Sequence, residues 1–341
     1  MNVHDIMKKS AAGEQFTKEE VAEMLSFPTD SIENAIVMGE AGRLSREISG
    51  NSSEVHGQFA LNLAPCPVNC AFCSFASQYG IFKEPIELTV EQSIAYARQF
   101  DDTPENSSVF LMTTANYDFG KFMEISAEVK KILKPDTYMV ANVGDMNPDR
   151  AKKMKDIGYH GVYHAIRMGE GSATKVSKNQ RLKSIRNFQE AGLIVGTCVE
   201  PIGPEHSNEE IAEHILIAAS FDPAFSGAMR RITVPGSDLA KHGMISELRI
   251  AQIVAVTRLA TPKSVIGNCT HEPNVIGAYA GANLFWAESG GNPRDVKEKT
   301  EEGRGMSVGD CAVLLKEADW GVHKGPSNFY NKKHAKFAAP E

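Results

Sequence analysis

The apolar positions of this chain change their spacing near residue 50. Before that point they recur every three or four residues, and Thr17 and Glu20 stand at capping-box spacing ahead of an apolar run, which predicts helices. Beyond it, short apolar runs alternate with stretches of helical spacing, a pattern typical of parallel strands joined by crossover helices. The predicted strands span residues 58–63, 108–114, 137–143, 161–164, 193–199, 227–234, 265–268 and 283–286, and the predicted helices span 89–101, 119–133, 147–157, 180–191, 207–220, 246–259 and 272–280.

Repeated strand–helix units at this spacing predict an α/β fold, a parallel (β/α)8 barrel of the TIM type. The predicted organisation is an N-terminal helical extension over residues 1–50, the barrel over 51–290, and a polar C-terminal tail over 291–341 with one helix near 308–318. Active sites of such barrels form at the C-terminal ends of the strands. Polar residues that follow the predicted strands are therefore the first candidates for function.

Composition narrows the functional classes. The 341 residues include 36 basic and 43 acidic side chains, a formal net charge of −7, whereas nucleic-acid-binding domains usually carry a basic excess. No apolar run reaches the roughly 18 residues of a membrane span, and the N-terminal residues lack the apolar stretch of a signal peptide. We therefore expect a cytoplasmic enzyme with neither a nucleic-acid nor a membrane partner.

Three cysteines in one short loop carry the strongest chemical signal. Cys66, Cys70 and Cys73 have the spacing Cys-x3-Cys-x2-Cys and come directly after the first predicted strand, at the mouth of the predicted barrel. Three thiolates can hold three irons of a 4Fe-4S cluster and leave the fourth iron open for chemistry. A structural zinc site is the weaker alternative, because it would need further ligands at set spacing, and a disulfide framework is typical of small secreted chains.

The loop over residues 65–75 resembles the cluster loop of the radical S-adenosylmethionine (SAM) enzymes. The runs 179–193 and 278–285 extend the resemblance to the biotin synthase-like branch, which includes biotin synthase, the hydrogenase maturase HydE, methylornithine synthase and the tyrosine lyase of thiamine synthesis. The resemblance implies a 4Fe-4S cluster on the three cysteines and bound SAM, which yields a 5′-deoxyadenosyl radical after one-electron reduction. It also implies an electron donor such as flavodoxin or ferredoxin, a small-molecule or carrier-bound substrate, and Phe72 beside the adenine.

The resemblance also implies candidates for SAM binding. Arg181 stands where this branch often has an arginine for the SAM carboxylate, which a guanidinium can bind with two parallel bonds. A solvated arginine on a helix surface is the alternative. Arg167 and Glu170 follow the fourth predicted strand; Glu170 can bond the ribose hydroxyls or the methionyl amine, or the two can form an internal ion pair that closes the loop.

Further candidates follow the second and fifth predicted strands. Asn116 and Asp118 can contact the methionyl amine or can simply form a turn. Glu200 ends the fifth predicted strand inside the barrel, where a buried carboxylate needs a partner. For Glu200, contact with SAM and contact with substrate both remain open.

Arg230 and Arg231 lie on the sixth predicted strand, so that side-chain alternation sends one of them inward. The inward arginine can hold a substrate carboxylate, or can pair with Glu200. His271, after the seventh predicted strand, is a further candidate for substrate binding.

Cys198 and Cys269 lie near the ends of the fifth and seventh predicted strands. At the mouth of one barrel they can hold an auxiliary iron–sulfur cluster, together with Cys311 or His271. Free cysteines are also often small buried hydrophobic residues. Biotin synthase itself places its auxiliary ligands on the second and third strands, and residues 108–114 and 137–142 contain no cysteine, so that identity is disfavoured.

Three functions follow from these expectations. The first is a sulfurtransferase-type radical SAM enzyme that inserts sulfur at unactivated C–H bonds in cofactor biosynthesis, as in lipoyl or biotin synthesis. The second is a single-cluster radical SAM enzyme that rearranges or fragments a small precursor in cofactor biosynthesis or hydrogenase-cofactor maturation. The third is a non-catalytic iron–sulfur or zinc protein.

Overall fold

The computed structural model describes residues 2–63 and 65–331. The strands are β1 Ser52–Ala60, β2 Asn106–Met112, β3 Tyr138–Asn142, β4 Gly161–Tyr163, β5 Ile194–Gly196, β6 Val199–Ile202, β7 Phe225–Arg230, β8 Gly267–Thr270, β9 Leu284–Ser289 and β10 Gly321–Val322. The helices are α1 Val3–Ala12, α2 Lys18–Ser26, α3 Ile32–Ser49, α4 Val90–Asp101, α5 Phe119–Ile132, α6 Pro148–Ile157, α7 Lys178–Glu190, α8 Asn208–Ser220, α9 Glu247–Ala260, α10 Val275–Tyr279 and α11 Val308–Glu317.

The N-terminal helices form where the sequence places them. The Thr17 side chain accepts a hydrogen bond from the Glu20 backbone N–H, and the Glu20 carboxylate accepts one from the Thr17 N–H, so that α2 begins with the predicted capping box. The apolar faces of α2 and α3 pack on α8 and α9. Among residues 2–63 and 65–331, no helix is long and apolar enough to cross a membrane.

The strands form one parallel sheet that curls round on itself. Its order is β5-β4-β3-β2-β1-β9-β8-β7-β6, and the strands at its two ends, β5 and β6, are consecutive pieces of one extended segment. The Thr197 N–H donates to the Phe225 carbonyl at 3.1 Å, and the Ala224 N–H donates to the Val195 carbonyl at 2.8 Å, so that this segment also joins β7. The predicted (β/α)8 barrel is confirmed, with its fifth strand divided in two at Thr197 and Cys198.

The first strand begins six residues earlier than predicted. β1 spans Ser52–Ala60, and its polar residues Glu54, His56 and Gln58 are all buried. Inside a barrel these side chains bond one another and neighbouring strands, so their burial is compatible with the fold. A pattern of hydrophobic residues cannot reveal a strand whose buried side chains are polar.

The C-terminal tail closes the bottom of the barrel. β10 pairs with the start of β1, and the following residues enter the barrel, where Phe329 is 2% exposed. The Glu54 carboxylate accepts hydrogen bonds from the Ser327 hydroxyl and the Asn328 N–H, and it lies 2.8 Å from Nε2 of His56. The polar tail predicted over 291–341 therefore contributes to the core as far as residue 331, and its remainder lies outside the described residues.

Replacement of Phe329 by alanine should destabilise the protein strongly. The side chain packs among the aromatic residues of the barrel interior, and a Phe→Ala change in such a core costs about 3–5 kcal/mol. The free energy of unfolding, from urea denaturation, measures the loss. Val313→Ala on the exposed face of α11 is the control and should change it by less than about 0.5 kcal/mol. Equal stability of the Phe329 variant and the wild type would show that the tail does not contribute to the core.

Candidate active site

A cleft opens at the C-terminal ends of the barrel strands. It contains about 1070 Å³ of space free of protein atoms, part of it continuous with solvent. A cleft at this end of the strands is where active sites of such barrels form. Side chains from the strands, the cysteine loop and the segment after β9 line it, among them Gln58, Asn142, Tyr163 and Met229.

The cysteine loop is folded by its own backbone. The Cys66 N–H donates to the Phe75 carbonyl, and the Ser77 N–H donates back to the Cys66 carbonyl at 3.1 Å. Asn69 adopts a left-handed conformation with φ of 52°, and its side-chain oxygen accepts from the Ser77 hydroxyl at 2.8 Å. Asparagine tolerates this conformation better than most residues. These bonds hold Cys66, Cys70 and Cys73 on one wall of the cleft.

Two other loops hold the cysteine loop in place. The Ala71 N–H donates to the carbonyl of Ala173, in the loop between β4 and α7. Ser74 donates its N–H and its hydroxyl to the carbonyl of Pro293, which follows β9, at 3.0 and 2.9 Å. The thiols are therefore fixed relative to both sides of the cleft.

The three thiols fit a cluster better than a single ion. Within residues 2–63 and 65–331, no three His, Cys, Asp or Glu side chains converge on one metal position; the ligands of a cluster need not converge, since each binds a separate iron. Burial raises the pKa of Cys70, and it raises the pKa of Cys73 to about 12, while Arg167 opposes both shifts. Burial therefore disfavours the free thiolates of Cys70 and Cys73, and a bound metal would displace their protons.

Arg181 lies in a buried ion-pair network beside the cysteines. Its Nε donates to Glu170 at 3.0 Å and its Nη1 donates to Asp145 at 3.1 Å. Its side chain is 4% exposed, so the alternative of a solvated arginine on a helix surface is wrong. His164, which lies 2.9 Å from Asp145, and Arg181 hold the pKa of Asp145 down at about 2. Arg181 also lines the cleft.

Arg167 faces the same part of the cleft. Its Nε lies 3.4 Å from a carboxylate oxygen of Glu200, on β6. Arg167 and Glu170 therefore do not form the ion pair that was the alternative expectation, because Glu170 pairs with Arg181 instead. Arg167, Glu200 and Phe72 all line the cleft, whereas Glu170 supports Arg181 from behind.

The structure does not bring Asn116 into the cleft. It lies exposed in the turn that follows β2, while Thr113, Thr114 and Ala115 line the wall. Asp118 caps α5 by accepting the Lys121 N–H at 2.8 Å. Asn116 and Asp118 therefore belong to the turn that was the alternative expectation, because the chain reverses here to enter α5.

Arg230 and Arg231 both line the cleft, so the expectation that one points outward is wrong. The reason is that β7 ends at Arg230, and the strand alternation does not extend to Arg231. Neither arginine pairs with Glu200. Arg230 is bonded to Glu272, and Arg231 is bonded to Glu205.

Cys198 and Cys269 approach each other inside the barrel. Their sulfurs are 3.7 Å apart, and the side chains are 2% and 1% exposed among aromatic residues of the core. Neither residue lines the cleft. The space around them is filled, since a Cβ added at Gly227 would lie 2.7 Å from the sulfur of Cys269.

A polar cluster round Glu288 also lies at the cleft, and of its members the sequence analysis identified only His271. The Glu288 carboxylate accepts from Gln58, Asn292 and Arg294, and it lies 3.6 Å from Nδ1 of His271. Burial raises the pKa of Glu288. Gln58 and Glu288 could have indicated this cluster, because both are polar residues on strands that lie between two other strands of the sheet.

Comparison with known proteins finds a matching family model and similar proteins. The family model described as the radical SAM superfamily matches residues 65–218. Biotin synthase of Corynebacterium urealyticum is 23% identical over 262 residues, 74% of this chain and 76% of the relative. Biotin synthase of Sulfurihydrogenibium sp. is 24% identical over 279 residues, 78% of this chain and 81% of the relative.

Two solved structures share the fold over most of their length. Methylornithine synthase (PylB) superposes with a TM-score of 0.78 at 16% identity, over 95% of this chain and 98% of that chain. The FeFe-hydrogenase maturase HydG from Carboxydothermus hydrogenoformans has a TM-score of 0.74 at 16% identity, over 93% of this chain and 78% of that chain. The resemblance drawn from the cysteine loop is confirmed.

Arg181→Ala should weaken the fold as well as any SAM binding. The change leaves the buried Glu170 carboxylate without its cation, and the breaking of a buried pair costs about 3–5 kcal/mol. The free energy of unfolding of the protein without SAM measures this contribution separately from the ligand. Lys178→Ala, which removes an exposed partner of Glu213, is the control and should cost less than about 1 kcal/mol. Equal losses in the two variants would contradict the buried network.

Proposed function

We propose that this chain, a radical SAM enzyme whose residues 65–218 match the family model, acts on a small substrate with a single cluster held by Cys66, Cys70 and Cys73. The cluster and SAM, when bound, supply the 5′-deoxyadenosyl radical that removes a hydrogen atom from the substrate. The product is a rearranged or fragmented small molecule, made in cofactor biosynthesis. The observation that carries this proposal is the cysteine loop, held by two other loops at the mouth of the barrel.

The side chains around the loop support SAM binding. Arg181 is held in one orientation by Glu170 and Asp145, so little of its freedom remains to be lost on contact with a SAM carboxylate. Arg167 and Glu200 lie together in the cleft and offer one cation and one anion to the methionyl group. Phe72 provides an aromatic surface beside the third cysteine.

The same geometry supports an external electron donor. The side chains of Cys70 and Cys73 are only partly buried, so the cluster would lie near the surface of the loop. We propose that flavodoxin or ferredoxin delivers the electron there. The substrate enters the cleft from the side of β7 to β9, where Arg230, Arg231 and His271 line the wall.

The environment of Cys198 and Cys269 supports the single-cluster function over sulfur insertion. A sulfur-donating cluster must face the substrate, and both thiols lie beneath the cleft in a packed aromatic core. Sulfur insertion remains the second candidate because the two sulfurs are only 3.7 Å apart, a separation that one iron could bridge. The two candidates differ in iron content.

Cys70→Ala should abolish SAM cleavage. With two thiolates instead of three, the loop cannot hold the cluster that cleaves SAM. The measurement is 5′-deoxyadenosine released by the reconstituted, dithionite-reduced protein. Cys311→Ala is the matched control, because that buried thiol lies on α11 outside the loop; it should release the product at the wild-type rate. Unchanged turnover of Cys70→Ala would refute the assignment.

Replacement of both Cys198 and Cys269 by alanine should leave the iron content per chain at the wild-type value. The two residues then act as packing side chains, and their loss costs stability, about 1–3 kcal/mol each, without loss of iron. Iron and acid-labile sulfide analysis of anaerobically reconstituted protein decides the matter. Fewer irons per chain in the double variant would establish an auxiliary cluster and favour sulfur insertion.

A further inference from the structure

A long connection joins β7 to α9 at the mouth of the barrel. It covers residues 231–246 and contains one short 3-10 turn, Asp238–His242. Connections of this length with so little secondary structure are uncommon in compact domains, and many of them are active-site lids. The first two residues of this one, Arg231 and Ile232, line the cleft. The connection therefore begins in the wall of the active site.

The tip of the connection reaches the cysteine loop. The Asp238 N–H donates to the hydroxyl of Tyr79 at 3.4 Å, and that hydroxyl donates to the Ala71 carbonyl at 3.2 Å. In the sheet, β8 and β9 lie between β7 and β1, the strand that precedes the cysteine loop. The connection therefore spans the rim of the cleft past the ends of these two strands. We call residues 236–243 the strap.

Both ends of the strap are glycines in left-handed conformations. Gly236 has a φ of 79° and Gly243 has a φ of 70°. Apart from the adjacent residues in the chain, no atom of the described residues lies within 4 Å of the position that a Cβ would take at either glycine. The hinges of lids are a few loop residues that absorb changes in φ and ψ, and glycine does so at the smallest steric cost. The two glycines therefore allow the strap to rotate between them.

The barrel wall holds the C-terminal end of the strap. Arg231 donates Nη2 to the Gly243 carbonyl at 3.1 Å, and Arg230 donates Nη1 to the Ile245 carbonyl at 3.0 Å. Both guanidinium groups are themselves paired with carboxylates of neighbouring loops. One hinge is therefore attached to the fixed part of the protein, as a moving segment requires.

The tip of the strap, in contrast, is weakly attached. Among the described residues, the bond to Tyr79 is the only hydrogen bond that joins residues 236–242 to another part of the chain. The side chains of Asp238, Lys241 and His242 are exposed. One exposed bond between neutral groups contributes little net free energy, because water replaces it when it breaks. The tip can therefore leave the cysteine loop without loss of any other hydrogen bond.

We propose that the strap is a gate at the active site. The bond between Asp238 and Tyr79 closes it, and rotation at Gly236 and Gly243 opens it. In the closed state the strap keeps SAM in the cleft and hinders the entry of water. Tyr79 is a positioning residue, because it does not line the cleft and acts through the strap. The inference rests on the function proposed above only in that SAM is the molecule that passes the gate.

Y79F, which removes the hydroxyl and keeps the ring, tests the gate. A gate acts equally on entry and exit, so association and dissociation rate constants for SAM should both rise about fivefold, the effect of one neutral hydrogen bond, with the dissociation constant within about twofold of the wild type. The rates come from binding of radiolabelled SAM and its displacement by unlabelled SAM, on the cluster-loaded, unreduced enzyme under anaerobic conditions. The control Y117F removes a hydroxyl that donates to Glu87 at 2.9 Å in another loop of the mouth; it should change neither rate.

Hydrogen–deuterium exchange on the full chain, before SAM is added, gives a second measurement. Y79F should speed the exchange of the strap amides and leave the amides of α11 unchanged. Wild-type rate constants in Y79F, weaker SAM binding without faster association, wild-type exchange of the strap, or equal changes in Y117F would each reject the gate. The proposed function fails separately, if the reduced wild type releases no 5′-deoxyadenosine from SAM, and the exchange result does not depend on that outcome.

Discussion

The burial of charge governs the mouth of this barrel. A guanidinium taken out of water is stable only with a partner, because an unpaired buried ion costs several kcal/mol. Among the residues that the structure describes, five arginines line the cleft and all lie against carboxylates: Arg167 against Glu200, Arg181 against Glu170 and Asp145, Arg230 against Glu272, Arg231 against Glu205 and Arg294 against Glu288. Most of these pairs join different strand ends, so the cleft has its shape before a ligand enters.

The same pairing also separates roles among chemically identical side chains. An arginine with all its edges bonded to protein, such as Arg230, supports the wall. An arginine such as Arg294, whose Nη1 has no acceptor among the described residues, keeps a donor available while its carboxylate partner holds it in place. Preorganisation of this kind reduces the entropy that binding must overcome. The cysteine loop is preorganised in a similar way, because its backbone bonds to Ala173 and Pro293 fix the thiols at the mouth of the barrel.

Much of the fold could be predicted from the chain alone. Helices with capping boxes and amphipathic spacing, such as α2 and α4, lie where the local pattern places them, because the capping groups are within three residues of each other. The cysteine loop is equally local, since its three cysteines fall within eight residues. The limits of β1 could not be predicted in this way. Glu54, His56 and Gln58 read as polar, yet the partners that make their burial possible, Ser327 and Glu288, lie more than two hundred residues along the chain.

For the site, the sequence by itself determined the kind of chemistry available: three thiols at a spacing suited to a cluster, after the first strand of an alternating α/β chain. The tertiary structure alone decided which polar residues share the cleft and which of their donors are free. It placed Asn116 in an exposed turn and paired Arg231 with Glu205. It also placed Arg294, which belongs to no motif, in the wall of the cleft. The physical reason is that a motif specifies ligands through covalent spacing, whereas a free hydrogen-bond donor is defined by every group packed around it, and those groups come from all parts of the chain.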